Sequence, residues 1–329
     1  MREITFLKRN REKWEKYEEI LANARSTDAD TLAELFVELT DDLSYARTFF
    51  PKSKTTQYLN QLAADVHRNI YRTRKQNLSS IKKFWMVDLP MALARRRIEL
   101  LASLSIYLFA MVVGMFSTAL DDTFVRMIMG DHYVNMTLNN IEKGDPLAVY
   151  KAEEVTAMAT GIGLNNTYYA IRTFYHGLYW KPYCAEMIFD TGLMVGSFHQ
   201  MFIDRDLGFE MFRVVYIHGA LELSAIVIAG GAGLTLLFGF LFPGTHGRLR
   251  SFGAGVLDGL RIMLGLVPVF AMAALLEGFV TRHTEMPLLL SLLIIGGSFA
   301  FIIWYFVLYP RTVARSQLKL SGDIPNGLS

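Results

Sequence analysis

The sequence predicts an all-α protein: a polytopic membrane protein with about six transmembrane helices and a cytoplasmic N-terminal helical bundle. Of its 329 residues, 52% are hydrophobic and 19% are charged, below the roughly 25% charge of an average soluble domain. Residues 1–97 hold 19 Lys+Arg and 13 Asp+Glu, whereas residues 98–329 hold 14 and 18. A basic, water-compatible segment followed by an apolar remainder excludes a fully soluble protein and a disordered chain.

Several functional classes find no support in the composition. The single cysteine, Cys184, cannot form an internal disulfide or a multi-cysteine zinc site. The net charge of +2 gives no reason to expect nucleic acid. No phosphate-binding loop and no Gly-x-Ser-x-Gly elbow occurs, so we expect no enzyme, no cofactor and no bound metal. Residues 1–16 are highly charged, and we expect no signal peptide there.

Residues 1–80 carry three amphipathic patterns, which predict three helices. Their apolar stripes are Phe6, Trp14, Tyr17, Ile20 and Leu21, then Leu32, Leu35, Phe36, Leu39, Leu43 and Ala46, then Tyr58, Leu59, Leu62, Val66, Ile70 and Tyr71. Thr27 or Asp28 is a candidate cap for the second helix, and Pro51 separates it from the third. Because each stripe needs a partner, the three helices are expected to form a small cytoplasmic bundle.

Residues 81–97 form a basic stretch that contains aromatic residues and adjoins the first apolar span. Trp85 is expected at the membrane surface, with Arg95, Arg96 and Arg97 facing anionic lipid headgroups. Pro90 is expected to kink this interfacial helix. The alternative is a fourth helix of the bundle.

Residues 98–310 are predicted to be the transmembrane domain. The six candidate spans are 100–120, 167–185, 187–203, 214–242, 254–280 and 287–309, judged by length and apolar character. The second and third contain several polar residues, so four spans with a non-spanning hairpin is the alternative. Either even number places both termini in the cytoplasm, in agreement with the Arg95–Arg97 cluster, Arg248 and Arg250 in a loop, and the basic tail 311–329.

Residues 121–164 then form an extracytoplasmic segment, which is too long for a simple connection. It holds 3 Lys+Arg and 7 Asp+Glu, as expected for the outer side of the membrane. Apolar residues at helical spacing predict an amphipathic helix near the outer interface, and residues 149–158 predict a further short one. The segment is either a docking place for an envelope partner or a cap over the helices.

A few ionisable residues lie within the predicted spans, where a charge costs on the order of 3 kcal/mol. His218 and Glu222 are four residues apart and therefore stack on one helix face. They are either a proton relay, part of a divalent metal site, or a buried hydrogen-bonded pair. A zinc site would need a further ligand such as His199 or Glu277. Ion pairs are expected between Asp258 and Arg261, and between Asp190 and Arg172.

Small residues mark places where helices are expected to approach closely. They are Gly230, Gly231 and Gly233 in the fourth span, Gly255 and Gly259 in the fifth, and Gly296 and Gly297 in the sixth. The Gly230–Gly233 run is alternatively a break in the fourth helix, which would be a feature of transporters.

At several of these positions the chain resembles the stage II sporulation protein M family of integral membrane proteins. The resemblance rests on Phe6-Leu7-Lys8-Arg9-Asn10, the pair Asn165-Asn166, Gly192-Leu193-Met194-Val195-Gly196, His218-Gly219-Ala220-Leu221-Glu222-Leu223, Ala229-Gly230-Gly231-Ala232-Gly233, and Glu277-Gly278-Phe279. Where the family usually has Asn-Gly in the third span, this chain has Thr191-Gly192. The candidate functional polar residues are therefore Asn165, Asn166, His218, Glu222 and Glu277.

The resemblance implies a bacterial or archaeal protein of the cytoplasmic (inner) membrane, here expected to be bacterial, and it favours a scaffold over an enzyme. We expect a scaffold or assembly factor that organises partner proteins at the cell envelope, as a homo-oligomer, with a dimer as the simplest form. The partners that the resemblance implies are AAA+ ATPases, von Willebrand factor A-type proteins and peptidoglycan-remodelling proteins. The alternative is a transporter or channel that uses the intramembrane His and Glu residues.

Overall fold

The computed structural model describes residues 3–22, 29–71, 78–148, 155–179, 183–245, 247–284 and 286–320. Within these ranges the chain forms helices joined by turns and contains no strand, so the predicted all-α fold is confirmed. The chain divides into two compact units, Met1–Ser80 and Ile81–Ser329.

The first unit consists of three helices around one core. They are α1 (Glu3–Ala22), α2 (Ala29–Phe49) and α3 (Lys54–Tyr71). Leu39, Leu59 and Val66 are fully buried in this core, as expected where apolar stripes of amphipathic helices meet. Trp14 Nε1 donates a 2.9 Å hydrogen bond to the Asp42 carboxylate and so joins α1 to α2. The predicted cap at residues 27–28 lies outside the described residues.

The chain enters the second unit through a helical segment that contains a π-helical turn. Its parts are α4 (Leu78–Lys83), a π-helical turn (Phe84–Asp88) and α5 (Leu89–Arg95), and Pro90 lies in the first turn of α5, where proline is tolerated. The Trp85 carbonyl accepts a 2.7 Å hydrogen bond from the Tyr305 hydroxyl. The segment therefore packs onto the end of the chain's last long helix.

Four helices of the second unit are long and apolar enough to cross a membrane. They are α6 (Arg97–Leu120), α11 (Gly208–Leu241), α12 (Arg248–Leu275) with a π-helical turn (Leu276–Thr281), and α13 (Leu288–Ile302), which runs through a further π-helical turn (Ile303–Leu308) into α14 (Tyr309–Leu320). Of the four, α11 is the most buried. Exposed leucines, valines and phenylalanines cover the outer faces of α6 and α13, as in a protein that contacts lipid.

Two further long helices, α9 (Val155–His176) and α10 (Tyr183–Ile203), lie where the sequence predicts the second and third spans. The predicted boundary of the second span is wrong, because residues 167–185 cross the turn that follows α9. A glycine at the turn (Gly177) and Pro182 further on both disfavour a continuous helix there. The count of six spans stays a prediction.

The close contacts between helices establish their relative directions. Gly192 and Gly196 of α10 meet Tyr107 and Met111 of α6 in the same order, so these two helices are parallel. Helices α9 and α11 are also parallel, since the contacts between them follow the same order along both helices. Contacts of α12 with α11 run in the opposite order, and those two helices are antiparallel.

The predicted glycines of α11 and α12 all lie at narrow gaps. A Cβ placed on Gly230 would lie 2.5 Å from Ile188, one on Gly231 would lie 2.7 Å from Leu100, and one on Gly233 would lie 2.9 Å from the Thr173 carbonyl oxygen. A Cβ placed on Gly255 would lie 2.6 Å from the Thr235 carbonyl oxygen, and one on Gly259 would lie 2.6 Å from Phe174. Helix α11 continues without a break through Gly230–Gly233, so the broken-helix alternative is wrong. Gly296 and Gly297 have no described atom within 4 Å of a Cβ, so the close approach expected there is not formed within the described residues.

The segment after α6 contains α7 (Asp122–Met129) and α8 (Asp131–Glu142). Val125 and Val134 from these helices pack together with Met201 of α10 and Met211 of α11. The segment therefore caps the ends of α10 and α11, as one of the two alternatives expected. Docking of an envelope partner on it stays a prediction. Most of the short helix predicted at 149–158 lies outside the described residues, and Val155 already begins α9.

Candidate functional site

Three ionisable side chains meet inside the second unit. His218 and Glu222 lie on successive turns of α11, and Glu277 comes from the π-helical turn that follows α12. One potential ligand atom from each residue lies within 4.8 Å of the other two. His218 Nε2 lies 3.7 Å from Glu277 Oε1. The further ligand that a metal site at His218 and Glu222 would need is therefore Glu277 rather than His199.

The π-helical turn determines how the His218 ring is oriented. Thr281, at the end of this turn, donates its hydroxyl to the Leu276 carbonyl at 3.2 Å. The same hydroxyl oxygen lies 2.9 Å from His218 Nδ1, so we assign the Nδ1 hydrogen to this contact. The Nε2 lone pair then faces Glu277. Thr281 was not identified from the sequence, because nothing local links it to a histidine 63 residues earlier.

The cluster is largely buried and contains two carboxyl groups. His218 is 5% exposed and Glu277 is 4% exposed. Glu277 Oε2 is buried without a hydrogen-bond partner in the described residues, and no lysine or arginine in that part of the chain pairs with Glu277 or Glu222. Two carboxylates this close inside a protein repel each other unless a proton or a cation lies between them.

Glu222 also forms part of the wall of a neighbouring cavity of about 480 Å³. The polar residues that line this cavity are Asn165, Asn166, Tyr169, Asp190, Thr191 and Glu222. The Asn166 side chain hydrogen-bonds to Glu222, so one of the two predicted asparagines contacts the cluster directly. Asn165 is exposed and lies only in the cavity wall. No ion pair between Asp190 and Arg172 is formed in the described part of the chain.

His199 lies outside the cluster. Its Nδ1 lies 2.6 Å from the Val195 carbonyl, and its Nε2 lies 2.9 Å from the Tyr216 hydroxyl. Both ring nitrogens thus have partners between α10 and α11. This arrangement is typical of a structural histidine, and it makes His199 a matched control for experiments on His218.

A second polar centre lies at the end of the unit where α5 meets α12. Asp258, 4% exposed, accepts hydrogen bonds from Arg95 at 2.6 Å and from Arg96 at 2.9 Å. Arg261 lies 3.3 Å away, as the spacing predicted. Arg95 and Arg96, predicted to contact lipid, are therefore held by an aspartate, whereas Arg97 is exposed. This pairing could not be predicted from the sequence, because 162 residues separate Arg96 from Asp258.

The chemistry that the cluster of His218, Glu222 and Glu277 can perform follows from its atoms. It offers one imidazole nitrogen and up to four carboxylate oxygens, all of which accept protons or bind cations. It sits beside a polar cavity, through which a small ion or water would reach Glu222. The arrangement therefore suits cation binding or proton exchange.

Two family models match separate parts of the chain. The model described as Stage II sporulation protein M matches residues 103–282, which is more than half of the chain. A model described as a domain of unknown function, DUF8413, matches residues 4–72. No curated protein and no solved structure matches the chain. The region that matches the Stage II sporulation protein M model contains His218, Glu222, Glu277, Asn165 and Asn166.

Proposed function

The chain belongs to the stage II sporulation protein M family of membrane proteins, and from this premise we propose that it is a non-enzymatic membrane scaffold. In this role the helical unit Met1–Ser80 binds a partner protein, and the helices of the second unit hold that complex in the membrane. The proposal is a scaffold or assembly factor that organises proteins at the cell envelope.

The observation that carries this proposal is the modular division of the chain. The first unit has its own core and a charged surface, on which Arg11 pairs with Glu15 and Arg68 with Asp65. Its match to a family model is separate from that of the second unit. A compact, water-compatible unit attached to membrane-length helices is well suited to recruit a soluble protein to the membrane surface.

The helix directions support the proposed topology. If α9 and α10 also span the membrane, α6, α9, α10, α11, α12 and α13 alternate in direction, and six spans return the chain to the side where it began. At about 1.5 Å per residue, the 22 and 21 residues of α9 and α10 are long enough for a core of about 30 Å. We therefore propose a bacterial cytoplasmic-membrane location, with both termini in the cytoplasm.

This topology would place the first unit where AAA+ ATPases and von Willebrand factor A-type proteins are found. It would place α7 and α8 on the outer side, facing the peptidoglycan-remodelling proteins that the resemblance implies. Both sets of partners belong to the proposal.

Deletion of residues 1–80 is expected to abolish capture of the cytoplasmic partner. The physical reason is that the deleted unit contains its own core, so the surface that binds is removed while the membrane unit stays folded. The measurement is quantitative affinity purification of the full chain and the truncated chain from cross-linked membranes, followed by mass spectrometry.

The matched control is Glu222→Gln, which changes the membrane cluster and leaves the first unit intact. A scaffold predicts equal partner recovery for this variant and the unchanged protein. Equal recovery for the truncated chain and the full chain would contradict the docking role of residues 1–80.

A second candidate function is favoured by the polar cavity beside Glu222. A transporter or channel could pass a small cation or a proton through this cavity by way of His218, Glu222 and Glu277. In that case Glu222→Gln changes ion flux in proteoliposomes, and deletion of residues 1–80 does not. The scaffold function is therefore expected to be lost on deletion of residues 1–80 and kept in Glu222→Gln, whereas the transport function is expected to be changed in Glu222→Gln and kept after the deletion.

The proposal includes a homodimer, and α13 provides a surface for it. Gly296 and Gly297 have open space above them and share an exposed helix face with Leu289 and Leu293. Small residues on a lipid-facing helix allow the backbone of a second helix to approach closely. The double substitution Gly296→Leu and Gly297→Leu is expected to convert the dimer to a monomer.

The measurement for the dimer is the molar mass of the detergent-solubilised protein by light scattering. The control is Gly253→Ala, at another uncrowded helical glycine. A dimer that persists in the double leucine variant would show that this face of α13 is not the interface.

A further inference from the structure

We propose that His218, Glu222 and Glu277 together bind one divalent transition-metal ion. This site joins α11 to the π-helical turn after α12, and it is independent of the scaffold role of residues 1–80. The ligands are the His218 Nε2 lone pair and one oxygen from each carboxylate.

The spacing of the three ligand atoms supports the site. They lie within 4.8 Å of one another. Around a tetrahedral ion with bonds of about 2.0–2.2 Å, neighbouring ligand atoms are about 3.4 Å apart. The difference is at most about 1.4 Å, a distance that rotation of flexible glutamate side chains can cover.

The unpartnered carboxyl oxygen of Glu277 is an independent observation. Glu277 is only 4% exposed, yet its Oε2 has no hydrogen-bond partner in the described residues. Leaving a buried carboxyl oxygen without a partner costs free energy, and Glu222 adds a second carboxyl group to the same cluster. A divalent cation would satisfy this oxygen and neutralise both carboxylates.

The surrounding residues orient the ligands as outer-shell partners do in metal sites. The contact of His218 Nδ1 with Thr281 leaves Nε2 as the coordinating atom, the pattern usual for metal-bound histidine. Asn166 hydrogen-bonds to Glu222 and holds its carboxylate at the cavity wall. Because Glu222 also lines the cavity, water from the cavity could supply the fourth ligand of a tetrahedral site.

The ligand set determines the class of metal. One imidazole with two carboxylates is a mixed nitrogen and oxygen set, which suits Zn²⁺, Mn²⁺ or Fe²⁺ and is less suited to Mg²⁺ or Ca²⁺, which prefer oxygen ligands only. Zn²⁺ is the natural first probe because it accepts three protein ligands and one water. Co²⁺ replaces it as a spectroscopic probe with the same preferred geometry.

The test uses the full-length protein, purified in detergent and stripped of metal with a chelator. We expect it to bind one equivalent of Zn²⁺ per chain by isothermal titration calorimetry and elemental analysis. We also expect Co²⁺ to give visible absorption bands typical of a four-coordinate site. The Co²⁺ spectrum needs no variant, so it tests the site even if a substitution impairs folding.

Glu277→Gln keeps the size of the side chain and removes a charged ligand. It is expected to weaken Zn²⁺ binding by at least about 100-fold, since outer-shell partners alone contribute about 10–100-fold. Asn166→Ala, which removes only the orienting hydrogen bond, is expected to weaken it by about 10-fold. The matched control is His199→Gln, at a buried histidine outside the cluster, and its Zn²⁺ affinity is expected to equal that of the unchanged protein.

Three outcomes would overturn the proposal. One is binding of less than a tenth of an equivalent of Zn²⁺ together with no Co²⁺ absorption. The second is one equivalent that is retained with full affinity in Glu277→Gln, since the ion would then lie elsewhere. The third is equal loss in His199→Gln and Glu277→Gln, which would indicate a general effect of buried substitutions. Failure of the docking test for residues 1–80 has no bearing on any of these results.

Discussion

Gly196→Leu is expected to lower the free energy of unfolding of the second unit by about 3 kcal/mol or more. A Cβ on Gly196 would lie 2.8 Å from the Met111 carbonyl carbon and closer still to its oxygen. The obstacle is the backbone of α6, which cannot rotate away as a side chain can. Overpacking of a tight interior costs about 1–3 kcal/mol and more where the backbone must shift, so the substitution forces α6 and α10 apart.

The chain supplies its own probe for this prediction. Cys184, its single cysteine, is fully buried beside Tyr107 and Leu234. Its reaction with a fluorogenic thiol reagent during heating therefore reports opening of the unit. A loss of 3 kcal/mol corresponds to a midpoint lower by roughly 6–12 °C for a unit of this size.

The control is Gly253→Ala on α12, where a Cβ meets no described atom within 4 Å. Because alanine is the better helix former by about 1 kcal/mol, this variant is expected to be as stable as the unchanged protein or slightly more so. An unfolding midpoint for Gly196→Leu within about 2 °C of this control would contradict the close packing of α6 and α10.

Asp258→Ala is expected to destabilise the second unit by about 2–4 kcal/mol. Asp258 is 4% exposed and is the common acceptor for Arg95 and Arg96. Removing one partner of a buried ion pair costs about 3–5 kcal/mol, because the other charge is left buried. We expect a smaller loss here, since the Arg95 side chain is 44% exposed and can turn toward water.

The matched control for Asp258 is Asp131→Ala. Asp131 also pairs with an arginine, Arg126, at 3.1 Å, but its side chain is 78% exposed. Exposed pairs of this kind contribute about 0–1 kcal/mol. The Cys184 reaction measures both variants, and equal midpoints for the two would refute a structural role for the Asp258 centre.

The location of the metal-binding cluster gives it influence over the whole unit. Helix α11 is the most buried of the candidate spans, and its close contacts include α9, α10 and α12. An ion bound by His218, Glu222 and Glu277 would connect this central helix to the turn after α12. We therefore expect Zn²⁺ to slow Cys184 labelling in the unchanged protein, by stabilising the form that binds it.

Long apolar runs could be placed from the sequence because length and hydrophobicity are local properties. Residues 100–120 and 254–280, for example, fall within the observed α6 and α12 with its π-helical turn. The boundary between α9 and α10 could not be placed in the same way. The polar residues Arg172, His176 and Lys181 lie around this boundary and weaken the hydrophobic signal.

Glycine contacts show the same limit at single residues. Gly192 and Gly196 have the small-xxx-small spacing, which is typical of a close helix contact such as the one with α6. In the sequence, however, only the family resemblance pointed to these two glycines. Gly296 and Gly297 resemble them in sequence but contact nothing among the described residues. Which glycine faces a neighbour depends on helix rotation, and a pattern of residues within one helix does not determine rotation.

By itself the sequence determined that this is an all-helical membrane protein of the stage II sporulation protein M family, with a charged N-terminal segment. It also placed His218 and Glu222 on one face, because a helix brings residues four apart together. Only the tertiary structure brought Glu277 to them and Arg96 to Asp258. Those contacts join residues 55 or more positions apart, and their formation depends on how helices pack and on a π-helical turn, which are properties of the folded chain as a whole.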